Sequence, residues 1–320
     1  MLDSGTTGFM LVCTMLVLLM TPGLAFFYGG LSRRKNVVNT MVMVFAVLGI
    51  VGVVWVVAGW SFAYGGDGSL PFFGGIDQLG CLSAVDGLLA EAAGTPDAFA
   101  MITAAIITGA VAGRMKFGAL CAFVAVWVLV VYAPLAHMVW GGEGSLIGSM
   151  IGALDFAGGD VVHISSGLTG LVLCIMVGAR KGFGAMSYRP HNVPFVVPGA
   201  TLLWFGWFGF NAGSEFAADG VAALAMLNTV AASAAALLSW LAVERLRVGK
   251  PTLVGAATGL VAGLVVITPA AGFVAPWAAI VMGLVVSPVC YFAIAVAKRR
   301  IGYDDALDAF GCHCVGGIVG

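Results

Sequence analysis

The chain is 320 residues long, 61% hydrophobic and only 9% charged, with a mean hydropathy of +1.07. Ordinary soluble domains are about 45–50% apolar and about 25% charged, so this composition excludes one and describes an integral membrane protein. A net charge of −1 with no basic patch argues against nucleic acid as a partner.

The first stretch, MLDSGTTGFMLVCTMLVLLM, has an early Asp3 and no positive n-region, and reads as a first span, not a signal peptide. Apolar runs near twenty residues then recur. That is the length at which a helix crosses hydrocarbon, and about twice that of a barrel strand. Spans are predicted near 8–29, 37–63, 97–112, 117–136, 161–178, 193–212, 220–243, 253–269 and 273–297, with a tenth beginning near 309. The fold class is an all-α integral membrane bundle, and residues 1–320 form a single membrane-spanning domain without a linker. Residues of about 64–96, rich in Gly, Ser and Asp, read as an ordered outer loop. Many of the 47 glycines fall inside spans, where small residues let helices approach closely in lipid.

The 14 basic residues fall in five groups: Arg33, Arg34 and Lys35; Arg114 and Lys116; Arg180, Lys181 and Arg189; Arg245, Arg247 and Lys250; Lys298, Arg299 and Arg300. Each group occupies every second loop. By the positive-inside rule these loops are cytoplasmic and the N-terminus is outside. Eleven of the 15 acidic residues lie in the opposite loops or at their edges, making the outer face acidic. Of seven cysteines only Cys81 is clearly in an outer loop, so no disulfide framework is implied. After Phe310 ten residues remain, where a crossing takes about twenty, so the last span reads as incomplete and the chain as C-terminally truncated.

Two histidines lie within predicted spans. His163 in HISSGLTG and His313 in HCVGGIVG both have Gly at +4 and +7, with an aspartate upstream of each, Asp155 and Asp308. They are 150 residues and five spans apart. An odd number of spans makes the halves antiparallel, the pattern of an inverted repeat. TPGLAFFYGG in span one pairs with VPGATLLWFGWFG in span six. Repeat one then covers about 8–178 and repeat two about 193–320.

A histidine at membrane depth faces the bundle interior, either as a packing group or as part of a functional site. No metal is expected: His163 has no other ligand at helical spacing, and Cys312 and Cys314, flanking His313, should project off its face. Two neutral imidazoles, each with one donor and one acceptor, better suit a hydrogen-bonding line for a small polar solute. At the outer ends of the spans, Trp207, Phe210 and Ser214 share one helix face at i, i+3 and i+7, and Trp140 lies just outside span four. Thr95 is placed to cap span three, with Pro96 at its first position, Asp97 facing its positive end and Phe99 one turn in. These aromatics fit either an interfacial belt or a cation-binding vestibule.

With these residues assembled, the chain resembles the ammonium transporter (Amt/Mep/Rh) family. The stretches PGLAFFYGGLSRRKN, AHMVWGG, GALDFAGGDVVHI, GWFGFNAGS, ALAMLNTVAA, GKPTLVGA and FGCHCVGGIVG carry the likeness from the first span to the last residue. The resemblance implies eleven spans, a homotrimer in the cell membrane with one pore per subunit, and transport of ammonium or ammonia, with methylammonium as an analogue and no cofactor. It assigns Trp140 and Ser214 to an outer recruiting site, Asp155 to a supporting carboxylate, Phe99 and Phe210 to a gate, and His163 and His313 to the pore lining, where Trp207 also lies. Many bacterial members carry an aromatic where this chain has Thr95, and small apolar residues where it has Cys312 and Cys314. The family also contains ammonium sensors, proposed gas channels and a cytoplasmic PII-type regulatory partner. A membrane metalloenzyme using both histidines is the reading outside this family.

Overall fold

A computed structural model describes residues 3–81, 88–186 and 188–320, with side chains of the third helix described from Pro96 onward. Among the described residues, ten helices of ten or more residues follow one another: α1 (Ser4–Leu31), α2 (Arg34–Tyr64), α3 (Leu88–Ala110), α4 (Phe117–Trp140), α5 (Gly159–Val177), α6 (Val193–Gly213), α7 (Gly220–Val248), α8 (Leu253–Ala270), α9 (Pro276–Ile301) and α10 (Phe310–Val319). Among the described residues, eight are long and apolar enough to cross a bilayer; the apolar part of α3, Pro96–Ala110, and α10 are shorter. Their outward faces expose residues such as Val53, Val130, Leu168, Ile175 and Leu238, the surface that hydrocarbon solvates.

The start of α3 departs from the expectation. Pro96 lies inside the helix, not at its first position, because the preceding run of Leu, Ala and Glu is strongly helix-favouring and carries the helix back to Leu88. Phe99 is therefore well inside the helix, and the cap expected of Thr95 lies outside the described side chains.

The two halves meet about a reciprocal crossing. A Cβ on Gly23 of α1 would sit 3.3 Å from the Leu203 nitrogen of α6, and one on Gly199 of α6 would sit 2.7 Å from Phe27 Cα of α1. Only glycine allows this approach. Each glycine follows a proline within its helix, Pro22 and Pro198, so the TPG and VPG echo marks one repeated crossing point. The second crossing joins α5 and α10 at the +4 glycines. A Cβ on Gly167 would lie 2.5 Å from the Cys314 nitrogen, and one on Gly317 would lie 3.2 Å from His163 Cβ. These contacts are the physical form of the inverted repeat.

The repeat corrects one sequence pairing. Both histidines sit on π-helical turns, Gly159–Ile164 and Phe310–Cys314. The aspartate that bonds the start of the second turn is Asp305, whose Oδ2 accepts from the Phe310 N–H at 2.7 Å. Asp308 instead pairs with Lys298 at 2.6 Å, on a backbone of positive φ, 63°.

At the cytoplasmic ends an ionic latch ties three loops. Asp304 pairs with Arg180 at 2.6 Å and Arg114 at 3.0 Å, and also accepts the Arg180 backbone N–H at 2.7 Å. Burial opposes the charge on Asp304, but the hydrogen bonds and charges of the two arginines outweigh it and hold its carboxyl below the usual range. Tyr188 lies between the guanidiniums of Arg33 and Arg180, at 4.6 and 4.2 Å.

Candidate functional site

Three cavities lie in line through the bundle. The outer one, about 320 Å³, is walled by Trp60, Tyr64, Pro96, Phe99, Trp140, Phe156, Ser214 and Phe216. A constriction of about 20 Å³ follows, lined by His163, Trp207, Phe210, His313, Phe27 and aliphatic side chains of α1, α3, α5, α6 and α8. That is room for about one water-sized molecule. The inner cavity, about 300 Å³, reaches from His313 and Cys312 past Tyr28, Trp240 and Tyr291 to Asp308.

The outer cup is positioned by backbone chemistry. The Asp155 carboxylate turns into its own loop, accepting the N–H groups of Gly158 and Gly159 on one oxygen and of Asp160 and Val161 on the other. Burial raises its carboxyl above the usual value, against the pull of those N–H groups. The turn so held presents the Asp155 carbonyl to Trp140, whose indole N–H donates to it at 2.8 Å. Trp140 is thereby fixed with its ring on the cup. Ser214 donates its hydroxyl to the Phe210 carbonyl at 2.9 Å, leaving the oxygen's lone pairs for the cavity. An aromatic wall with one hydroxyl acceptor suits a small cation.

Below the cup, Phe99 and Phe210 stack with centroids 4.1 Å apart and 22° between planes. Phe210 also packs on Trp207 at 5.4 Å and faces His163 at 6.1 Å. The pair stands between the two cavities, with Phe99 on the cup and Phe210 on the constriction.

The two imidazoles then face each other, with His163 Nδ1 3.2 Å from His313 Nδ1 and centroids 5.3 Å apart. One of those nitrogens must be the donor and the other the acceptor, so the tautomers are linked. Trp207 stacks on His163 at 5.3 Å and 22°, and donates its indole N–H to Thr268 Oγ1 at 2.9 Å. His163 Nε2 lies 3.3 Å from the same oxygen, and that hydroxyl donates to the Leu264 carbonyl at 2.7 Å. With its proton so placed, Thr268 accepts from both Trp207 and His163. His163 then carries its hydrogen on Nε2 and His313 on Nδ1, leaving the His313 Nε2 lone pair free.

All eight sequence-named residues thus lie on or directly behind one line: Trp140, Ser214 and Asp155 at the cup, Phe99 and Phe210 between, His163, His313 and Trp207 at the constriction. Thr268 was not anticipated. Its only sequence signal is a threonine before the proline that interrupts span eight, in ITPAAG. Trp60, Tyr64, Phe156 and Phe216 were also missed, since aromatics near a membrane interface are too common to single out. Cys312 shares the inner cavity with His313, contrary to the expectation that flanking residues turn away. The inner cavity is wide enough to be reached from two adjacent helix faces. Cys314 packs against Gly167 instead.

A family model described as Ammonium Transporter Family matches residues 8–320. An ammonium transporter of Bacillus subtilis is 48% identical over 100% of this chain and 79% of its own length. The crystal structure of Saccharomyces cerevisiae Mep2 superposes with a TM-score of 0.91 at 35% identity, covering 99% of this chain and 72% of that one. A Sensor Amt Protein superposes with a TM-score of 0.92 at 29% identity, covering 98% of this chain and 80% of that one. The chain accordingly belongs to the ammonium transporter family, multi-pass proteins of the cell membrane that are transporters rather than enzymes.

Proposed function

We propose that this chain moves ammonium across the membrane by separating it from its charge: the cup gathers the cation, its N–H bond breaks on the cup side of the Phe99–Phe210 pair with the proton returned to outer water, and neutral ammonia passes His163 and His313. The observation that carries this reading is the one-molecule constriction closed by two imidazoles 3.2 Å apart. Carrying a bare cation through it costs tens of kcal/mol in the Born limit, far more than binding returns. Ammonium has a way around that cost. Its pKa lies about two units above neutral, so losing a proton at pH 7 costs about 3 kcal/mol. Potassium has no proton to lose, and is excluded.

Each part of the line has a role. An aromatic cup attracts a desolvated cation by about 2 kcal/mol, and Ser214 offers it an acceptor. The stacked phenylalanines exclude water and the hydrated ion. Beyond them, ammonia meets the free Nε2 lone pair of His313 beside the coupled ring of His163, one hydrogen-bonding position in an otherwise apolar wall.

The test is methylammonium uptake into proteoliposomes with potassium as competitor. Wild type should show saturable uptake that potassium does not compete; a His163→Ala variant that stayed equally selective at full rate would overturn the relay. A sensing role has support in the similarity to the Sensor Amt Protein. Ligand binding without flux in the same liposomes would favour it. Family membership also supports a homotrimer with one conduit per subunit, and a PII-type regulator at the basic inner loops.

A further inference from the structure

The repeat that pairs the two histidines also pairs two carboxylates, and only Asp155 has a part in the conduit so far. Asp155 stands eight residues before His163, and Asp305 eight before His313. Asp155 Oδ2 accepts the N–H of Asp160 at 2.8 Å, and Asp305 Oδ2 that of Phe310 at 2.7 Å, five residues on in both cases. Asp305 is fully buried. We propose that Asp305 is the positioning residue of His313: its side-chain oxygen, by capping the first turn of α10, sets the rotation that brings the two imidazoles into hydrogen-bond contact.

The first N–H groups of a helix have no partner within it, and inside a bundle water is not there to replace one. Holding the Phe310 N–H therefore holds the turn that carries His313 three residues later. A ring about 5–6 Å from the helix axis moves by about 1 Å for a rotation of about 10°, enough to take a 3.2 Å contact out of range.

The two carboxylates differ in one respect. Asp155 engages both oxygens, whereas Asp305 Oδ1 meets no hydrogen-bond partner among the described residues. Lys298 bonds the Asp305 main-chain carbonyl and the Asp308 carboxylate, leaving that oxygen bare. Burial first, then the charge of Asp308, raises the Asp305 carboxyl above the usual carboxylate range. Geometry thus asks Asp305 for one acceptor oxygen, not for a full charge, and an amide supplies it. Asp305→Asn can place its oxygen on the Phe310 N–H and its NH₂ at the bare position.

This inference rests on the conduit reading, so its test uses two readouts on the full chain in proteoliposomes: methylammonium uptake, and ¹⁵N NMR of labelled histidines. In Asp305→Ala the maximal rate should fall about tenfold, the equivalent of a lost buried cap, while half-saturation stays within about twofold because the cup is untouched. The ¹⁵N signature of the coupled His163–His313 pair should also disappear. Asp305→Asn should retain both rate and signature. An Asn variant as defective as Ala, or an Ala variant that keeps the coupled signature, would overturn the proposal. If Ala yields no folded protein, the Asn variant alone decides it in the same two senses. Should His163→Ala pass ammonium as selectively as wild type, the conduit reading falls while the NMR arm still tests Asp305.

Discussion

Replacing Thr268 by valine keeps the shape of the side chain and removes one oxygen on which three groups converge. That oxygen accepts from Trp207 at 2.9 Å, lies 3.3 Å from His163 Nε2, and carries the proton given to Leu264 at 2.7 Å. The competing tautomer requires the hydroxyl to turn its proton from Leu264 to His163, giving up one hydrogen bond worth about 1 kcal/mol net. At rest the arrangement with hydrogen on His163 Nε2 and His313 Nδ1 is therefore favoured by about fivefold. In Thr268→Val that bias is gone, and the Trp207 N–H is left unmet in a buried site at about 1–3 kcal/mol. The lost bias and the orphaned donor together predict a destabilisation of about 2–4 kcal/mol, read as a lower thermal midpoint in detergent. Histidine ¹⁵N spectra should change from one dominant tautomer pair in wild type to a mixture, and uptake should fall by somewhat less than about twofold, as the favoured share drops from about five-sixths to about one half. A valine variant with unchanged ¹⁵N shifts and an unchanged rate would refute the proton count and Thr268's place in the conduit.

Three other outcomes are expected. Phe210→Ala should lower methylammonium uptake more than Phe99→Ala, because Phe210 packs on Phe99, Trp207 and His163 together, and should cost about 3–5 kcal/mol of stability; equal effects in paired uptake and melting measurements would argue against the asymmetry. Gly167→Ala puts a methyl 2.5 Å from the Cys314 nitrogen, which must push α10 away from α5 and abolish uptake, whereas Gly178→Ala in the same chain half meets no atom and is strained only by its φ of 82°; uptake retained by Gly167→Ala would show that the crossing can yield. Asp304 has a depressed carboxyl, so its contribution to stability is complete above about pH 4 and is lost as pH falls through its folded-state value. The thermal midpoint should drop on that acid side in wild type, and Asp304→Asn should be less stable at neutral pH with a flatter acid limb.

The span order, the orientation and the paired histidines were legible because a bilayer imposes rules that act along the chain. Every backbone group in hydrocarbon must bond within its own helix, so hydropathy alone reports the spans, and basic loops report the side. The glycines at +4 from each histidine were legible as a pattern, and the structure makes them the contact surface between α5 and α10. The start of α3 is not legible from Thr95 and Pro96, which read as a cap and a first helical position, because the helix-favouring run before them outweighs those start signals. Asp308 is the aspartate nearer to His313 in sequence; it is the bond to the Phe310 N–H that makes Asp305 the counterpart of Asp155.

What the sequence by itself determined is a membrane bundle of two opposed halves, each contributing one imidazole at membrane depth. What only the tertiary structure decided is that the imidazoles stand 3.2 Å apart and that Thr268, 105 residues from His163, lies 3.3 Å from its Nε2. Local rules act between neighbours in the chain. The direction in which a buried ring shares its proton depends on groups that packing alone brings together, and no spacing along the sequence encodes it.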